Sequence, residues 1–279
     1  MTQHFEVKPM TPTIGAEIIG LDLTQPMSDG TFEKLHTAFL DRKVLFFRDQ
    51  DLTLDQHKDF GRRFGDLHVH PASSPFKQDG VEHPEILFLH ADENTTRTAG
   101  DTWHSDVSCD PEPPMASILR LVKIPPLGGD TLFASMNAAY DALSEPMKRY
   151  LGDLTATHDG TENYSDRAKR RDGVVITNKV YPRNTHPIVR THPETGEKAL
   201  YVNTAFTSHI NDVPKPESDA ILAYLYQHIS NVAFQCRFQW TQNSIAMWDN
   251  RSTLHHAMWD YFPNIRSGFR VTVQGDKPV

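Results

Sequence analysis

The feature that most constrains this chain is its punctuation. Short stretches rich in β-branched, aliphatic and aromatic residues recur from end to end, separated by turns: Ala16–Leu23, Lys43–Phe47, Glu85–His90, Ala116–Val122, Ile188–Thr191, Leu200–Asn203, Ala233–Gln239, Ile245–Trp248 and Phe269–Gln274. That composition and length predict strands. Gly128-Gly129-Asp130-Thr131 reads as a tight turn into a further strand, Thr131–Phe133, and Pro193-Glu194-Thr195-Gly196 as a hairpin turn. Helical spacing appears at Thr31–Arg42, where Phe32, Leu35, Ala38 and Phe39 form one stripe. It recurs at Leu54–Phe64, opened by the capping-box sequence Thr53-Leu54-Asp55-Gln56, and at Pro216–Ile229. Helices do not alternate strictly with strands, which argues against a Rossmann or TIM arrangement and for a sandwich or jelly roll with helices packed outside.

No internal repeat and no low-complexity linker interrupts the 279 residues, so one domain over 1–279 is expected. The polar stretch Thr161–Asn184, with its charge run Asp166-Arg167-Ala168-Lys169-Arg170-Arg171-Asp172, reads either as a solvated loop or as an active-site lid at 161–184. Apolar runs such as Val44–Phe47 and Ile86–Leu89 are too short to span a bilayer, and the first residues lack the pattern of a signal peptide, so a cytoplasmic protein without membrane partners is expected. The 28 Lys and Arg against 36 Asp and Glu give a net charge of −8, the wrong sign for neutralising phosphates, so no nucleic-acid partner is expected. Two cysteines, Cys109 and Cys236, cannot build a disulfide framework or a Cys-rich metal site. Histidine and carboxylate remain as metal-competent groups.

Trp103-His104-Ser105-Asp106 is the first such constellation. In extended backbone residues two apart share a face, so His104 and Asp106 can reach one ion. The second is Trp248-Asp249-Asn250-Arg251-Ser252-Thr253-Leu254-His255-His256, which offers another imidazole from either histidine. Two imidazoles and one carboxylate on one side of an ion leave open positions, the arrangement of non-haem Fe(II) oxygenases. The third is Arg266-Ser267-Gly268-Phe269-Arg270, where positions 266, 268 and 270 share a strand face. Two guanidiniums lining a concavity, with Gly leaving room between them, suit carboxylate or sulfonate groups. Thr131, after its glycine turn, could add a hydroxyl to such an anion.

In order and spacing, these pieces resemble the taurine / 2,4-dichlorophenoxyacetate (TauD/TfdA) family of Fe(II)- and 2-oxoglutarate-dependent dioxygenases. The resemblance runs from about Val7 to Val279. It is carried also by Gly15-Ala16-Glu17-Ile18-Ile19-Gly20-Leu21-Asp22-Leu23, Phe64-Gly65-Asp66-Leu67-His68-Val69-His70-Pro71 and His186-Pro187-Ile188-Val189-Arg190-Thr191-His192-Pro193. It implies a mainly β fold with flanking helices around a double-stranded β-helix (jelly-roll, cupin-like) core. It implies Fe(II) held by His104, Asp106 and His255, with O2 and 2-oxoglutarate as cosubstrates. It further implies that Arg266 and Thr131 hold the distal carboxylate of 2-oxoglutarate, and that Arg270, His70 and the backbone N–H of Val107 hold the anionic head of a small organic substrate. The implied reaction forms succinate and CO2 and hydroxylates a substrate carbon, with C–S or C–O cleavage where that carbon bears a heteroatom. A homo-oligomer, dimer or tetramer, is expected.

Departures from the taurine-cleaving members bear on the substrate. Gly100 stands where they carry an Asn that meets the taurine amine, and Ser73 and Gly160 stand where they carry aromatic pocket residues. A larger pocket without amine recognition is expected, suited to an alkyl or aryl sulfonate, a sulfate ester or an aryloxyalkanoate. His68, His158, His186 and His192 are expected to be hydrogen-bonding structural residues. His4, His36, His57, His83, His209 and His228 are expected at the surface or in packing. Three rival readings use the same residues differently: a zinc hydrolase on His104, Asp106 and His255, a non-catalytic jelly-roll binding protein, and thiol catalysis by Cys109, around which no thiolate-stabilising setting is legible.

Overall fold

A computed structural model describes residues 3–70, 75–96, 98, 100–164 and 180–279. In chain order the first strands are β1 (Glu6–Pro9), β2 (Ala16–Ile19), β3 (Val44–Phe47), β4 (Leu67–His68), β5 (Phe76–Gln78), β6 (Val81–His83) and β7 (Leu87–Ala91). They are followed by β8 (Ala116–Lys123), β9 (Thr131–Ser135), β10 (Thr155–Asp159), β11 (Arg183–Pro187), β12 (Val189–Thr191), β13 (Lys198–Leu200) and β14 (Thr207–Ile210). The last are β15 (Gln235–Phe238), β16 (Ile245–Asp249), β17 (Thr253–Ala257) and β18 (Arg266–Val273). The helices are α1 (Asp29–Arg42), α2 (Leu54–Arg62), α3 (Met136–Asp141), α4 (Glu145–Gly152) and α5 (Lys215–Ile229).

The large sheet runs β1-β2-β3-β16-β8-β18-β4, with β7 also paired to β18. A smaller sheet, β15-β9-β17, is extended by His104, which bridges to His255. Strand periodicity explains how the two sheets face each other. In β3, Val44 and Phe46 point to one side and join Leu119, Leu121, Phe133, Phe238, Ala246 and Trp248 in an inter-sheet core. Leu45 and Phe47 point the other way, into a second core with Leu35, Ala38 and Phe39 of α1 and Phe60 of α2. A third core packs α3 and α5 on the outer face of the small sheet through Ala134 and Leu254. Each fully buried Phe or Leu contributes roughly 1.5–3 kcal/mol. This mainly β jelly roll with helices outside is the architecture expected from the strand punctuation.

Local chemistry sets the element ends. Ser28 caps α1 through Thr31 N, and Lys43 ends it in the left-handed region (φ 67°), so β3 begins at Val44 and not at Lys43. The capping box at Thr53 and Gln56 is formed at α2. Gly20 (φ 87°) stops β2 at Ile19, short of Leu23. The stretch beginning at Ala233 opens as a 3-10 turn, Val232–Phe234, because Asn231 caps it, and becomes a strand only at Gln235. The hairpin turn at Pro193–Gly196 joins β12 to β13. The last strand starts at Arg266 and not at Phe269, since β7 and β8 clamp its polar first residues from both sides. β10, β11 and β14, with polar sequences such as Thr-Ala-Thr-His-Asp, carry no readable alternation. Among the described residues no helix is long and apolar enough to cross a membrane.

Candidate active site

The parity of β17 decides between the two adjacent histidines. Thr253, His255 and Ala257 face the space between the sheets, whereas His256 turns outward and meets Trp103 edge-on, ring centroids 5.6 Å apart. His104 is locked beside His255 by two backbone hydrogen bonds, His104 N–H to His255 O (3.0 Å) and His255 N–H to His104 O (2.9 Å). Two residues on, Asp106 places its carboxylate 3.8 Å from His104 Nε2 and 3.9 Å from His255 Nε2. All three side chains are buried, and their ligand atoms lie within 4.8 Å of one another, the only such His/Cys/Asp/Glu group among the described residues.

The donor set fits a divalent metal. His104 Nδ1 lies 2.8 Å from Thr102 O, a pure acceptor, so that nitrogen carries the proton and Nε2 is left for an ion. Burial, reinforced by the neighbouring His104, holds the His255 pKa well below the usual range, which keeps its imidazole neutral. Burial pushes Asp106 up, but the Arg270 guanidinium, the two histidines and the Ser117 hydroxyl outweigh it and hold the carboxyl below the usual range.

Two residues without an assigned role in the sequence orient that carboxylate. Ser117 on β8 donates to Asp106 Oδ2 at 2.6 Å and accepts from Asn250 Nδ2 at 3.0 Å. Asn250 Oδ1 in turn accepts from Asp106 N (3.3 Å) and Trp248 Nε1 (2.9 Å), and Ser105 Oγ donates to Asn250 O at 2.8 Å. The signal for Ser117 was present as a lone hydroxyl on the inward face of an otherwise apolar strand start, Ala-Ser-Ile-Leu.

The two arginines of β18 are both buried and both face inward, but their surroundings differ. Arg266 donates to Gly129 O (3.0 Å) and to Thr131 Oγ1 (3.3 Å), and Trp240 Nε1 also donates to Thr131 Oγ1 at 3.0 Å. Burial works against its charge. Of the buried arginines, Arg120 pairs with Asp51, Arg190 with Asp276, Arg251 with Asp249 and Glu194, and Arg270 with Asp106. Among the described residues Arg266 has no carboxylate within ion-pair distance, and it borders a small cavity lined also by Leu89, His90, Ala91, Thr98, Ala257 and Tyr261. Arg270 Nη1 meets Asp106 Oδ1 at 2.5 Å, while its Nε is buried without a partner. Gly268 between them does not leave room for a ligand: a Cβ there would lie 2.2 Å from Arg120 O, so the glycine serves the close approach of β8 at an irregularity in the ladder.

Val107, next to Asp106 in the chain, has φ 50°, which is rare for a β-branched residue and marks a strained backbone. His70 is buried, its ring 5.5 Å from that of Tyr164 in an edge contact. Gly100 (φ 85°) lies over His104, and a Cβ there would sit 3.0 Å from His104 Cε1, so this backbone carries no side chain toward an amine. The space expected to open at Gly160 is filled, because a Cβ would meet the Tyr164 ring at 2.8 Å and Cys109 Sγ at 3.0 Å. Ser73 and most of the 161–184 stretch, with its charge run, lie outside the described residues.

The structural histidines have the expected partners: His68 meets Asp110 Oδ2 (3.0 Å), His158 meets Ser108 Oγ (3.0 Å), His186 meets Asp110 O (2.9 Å) and His192 meets Asp249 Oδ2 (3.0 Å). His57 is a packing residue, fully inside and bonded to Ile118 O. Burial pushes the Cys109 thiol up to about 12, the opposite of an activated thiolate.

Comparison with known proteins agrees with this geometry. The family described as "Taurine catabolism dioxygenase TauD, TfdA family" matches residues 6–272. The alpha-ketoglutarate-dependent sulfonate dioxygenase of Saccharomyces cerevisiae is 34% identical over 99% of this chain and 68% of its own length. The alpha-ketoglutarate-dependent sulfate ester dioxygenase of Pseudomonas putida is 35% identical over 99% of this chain and 91% of its own. The crystal structure of a taurine dioxygenase from Burkholderia xenovorans superposes with a TM-score of 0.83 at 37% identity, covering 99% of this chain and 91% of that one. With its His-Asp-His group, its inward arginines and a family match over nearly its whole length, the chain belongs to the TauD/TfdA family and is a non-haem, 2-oxoglutarate-dependent dioxygenase.

Proposed function

We propose that this enzyme hydroxylates the carbon bearing the heteroatom of an organic sulfate ester or sulfonate, releasing sulfate or sulfite. The observation that carries the reading is Arg266, a buried cation with no carboxylate at ion-pair distance among the described residues, on the same strand face as Arg270, whose Nε is buried without a hydrogen-bond partner there. Two such cations on one strand, one of them touching Asp106, suit two different anions. His104, Asp106 and His255 would hold Fe(II), which supplies O2 activation coupled to decarboxylation of 2-oxoglutarate to succinate and CO2. Arg266 and Thr131 bind the distal carboxylate of 2-oxoglutarate through a rigid fork and a hydroxyl. Arg270, His70 and the Val107 N–H bind the substrate's anionic head. Arg270 Nη1 is engaged with Asp106 Oδ1, and with an ion held by Asp106 this guanidinium would be released toward the substrate's head. No side chain need act as a nucleophile. The protein's part is to fix both anions relative to the ion and to keep water out with Trp248, Phe133 and Trp240.

A zinc hydrolase or a non-catalytic binding protein needs neither Arg266 nor Thr131, and family membership speaks against both. The sulfonate and sulfate ester relatives support the sulfur-containing head group over an aryloxyalkanoate. The test is succinate formation with Fe(II) and 2-oxoglutarate across alkyl sulfates, alkyl sulfonates, taurine and aryloxy acids, with sulfate or sulfite measured in parallel. Succinate coupled one-to-one to sulfate or sulfite release from an alkyl substrate is expected. Efficient turnover of taurine in preference to the unaminated substrates, or of aryloxy acids alone, would overturn the assignment.

A further inference from the structure

Loss of the aromatic side chain at position 160 does not leave the pocket wall open, and the local fold shows why. Asp159 Oδ1 accepts from Thr161 N (2.8 Å), starting a helical turn, and Tyr164 N donates to Gly160 O (2.9 Å) at the end of that turn. Residues four apart on a helix lie over one another, so the Tyr164 ring falls across the α-carbon of Gly160. It is only 2% exposed. It meets His70 in an edge contact and Tyr181 and Phe206 in tilted contacts at centroid distances of 5.6 and 5.7 Å, and its hydroxyl lies 3.8 Å from Cys109 Sγ. Val107, next to the ligand Asp106, completes the cluster. Gly160 is therefore required by Tyr164: any side chain at 160 contests the space the ring already fills.

We infer that Tyr164 is a specificity-determining residue: its ring, supplied from one helical turn downstream in place of a side chain at position 160, forms the wall that limits the bulk of the substrate's organic tail. The inference rests on the reading that His70, Val107 and Arg270 hold the anionic head. A head bound there sends its tail out beside the residues that touch His70 and Val107, and Tyr164 touches the first and clusters with the second. An aromatic wall discriminates by fit, and one methylene in such a pocket is worth roughly a 10–200-fold preference.

The test compares wild type, Tyr164→Phe, Tyr164→Leu, Tyr164→Ala and Gly160→Ala on alkyl sulfates of rising chain length and branching. It reads kcat and KM separately for each, and the binding of the same series by calorimetry to anaerobic enzyme loaded with Fe(II) and 2-oxoglutarate. Tyr164→Phe keeps the ring and the wild-type tail profile within about twofold. Tyr164→Ala and Tyr164→Leu raise kcat/KM for bulky relative to short tails by about tenfold or more, with the KM for 2-oxoglutarate unchanged. Gly160→Ala pushes the ring inward and shifts the profile the opposite way, toward short tails. If the ratio of bulky to short substrates is unmoved in the Leu and Ala variants, at whatever overall activity, the inference fails and Tyr164 is structural. If wild type turns over and binds no alkyl sulfate or sulfonate, the substrate class fails and this inference with it. Turnover with an unmoved profile overturns the inference alone.

Discussion

Removing the Ser117 hydroxyl separates the orientation of Asp106 from its identity. In Ser117→Ala the carboxylate keeps its charge, its burial and its bond to Arg270, but loses the 2.6 Å hydrogen bond at Oδ2, and Asn250 Nδ2 loses its acceptor. A hydrogen bond to a charged group contributes about 1.5–3 kcal/mol. Groups that orient metal ligands change affinity by about 10–100-fold, which is about 1.4–2.7 kcal/mol, so two independent scales give the same range. The variant is expected to bind a divalent ion 10–100-fold more weakly. Trp248 lies 4.6 Å from the His255 ring, so anaerobic titration with Fe(II) or Co(II) can be followed by its fluorescence. Ser108→Ala is the control: Ser108 is equally buried but bonds to His158 and Asn203 and does not touch Asp106. A Ser117→Ala enzyme that binds metal within twofold of wild type, or a Ser108→Ala enzyme that loses as much, refutes the assignment of Ser117 as the group that aims Asp106.

Arg266→Lys, which keeps charge but not the planar fork, is expected to raise the KM for 2-oxoglutarate about tenfold or more while leaving the substrate KM in place; steady-state kinetics in both reactants read this, and equal rises in both would argue against separate anion sites. His255→Ala abolishes metal binding, whereas His256→Ala, on the outer face of the same strand, leaves metal affinity within about threefold; calorimetry with Co(II) distinguishes them. Burial pushes His57 down to about 4 from the ordinary 6.5. The unfolded chain therefore takes up that proton first, and the stability tied to a neutral His57 is whole above the unfolded value and is lost as pH falls toward the folded one. The slope is at most about 1.4 kcal/mol per pH unit. Urea unfolding at pH 7, 6 and 5 should show a shallower decline in His57→Gln than in wild type, and parallel declines would contradict it.

What could be read before the fold was known follows the physics of each residue. His104 and Asp106 are two apart, and that spacing marked them from sequence alone, although only His104 pairs as a strand and Asp106 opens a turn. The residues alone left His255 and His256 open and the family resemblance favoured His255; the physical reason, the face of the strand, is shown by packing on Phe133 and Trp248. Arg266 and Arg270 were legible as a same-face pair, but the role of Gly268 was not, because its neighbour is a backbone carbonyl from a strand distant in sequence. Ser117 and Asn250 act through groups far along the chain, and nothing local marks them beyond polarity at an inward position. The emptiness inferred at Gly160 failed for a similar reason: an absent side chain says nothing about which neighbour moves in. The polar strands β10, β11 and β14 escaped because hydrophobic alternation registers only where one face is dry.

The long last strand has a consequence beyond holding two arginines. Four residues of strand span about 13 Å at roughly 3.3 Å per residue, and this backbone rule sets the distance between the α-carbons that carry the two guanidiniums. Under the proposed assignment it would act as a ruler: the reacting carbon would be chosen by its distance from the charged head, with the cosubstrate's far carboxylate held at the other end, and not by the length of the tail. Its pairing with β7 runs without a break from Arg266 to Arg270, so the register shift opposite Ser267 and Gly268, where β8 carries the extra residue, leaves that spacing intact.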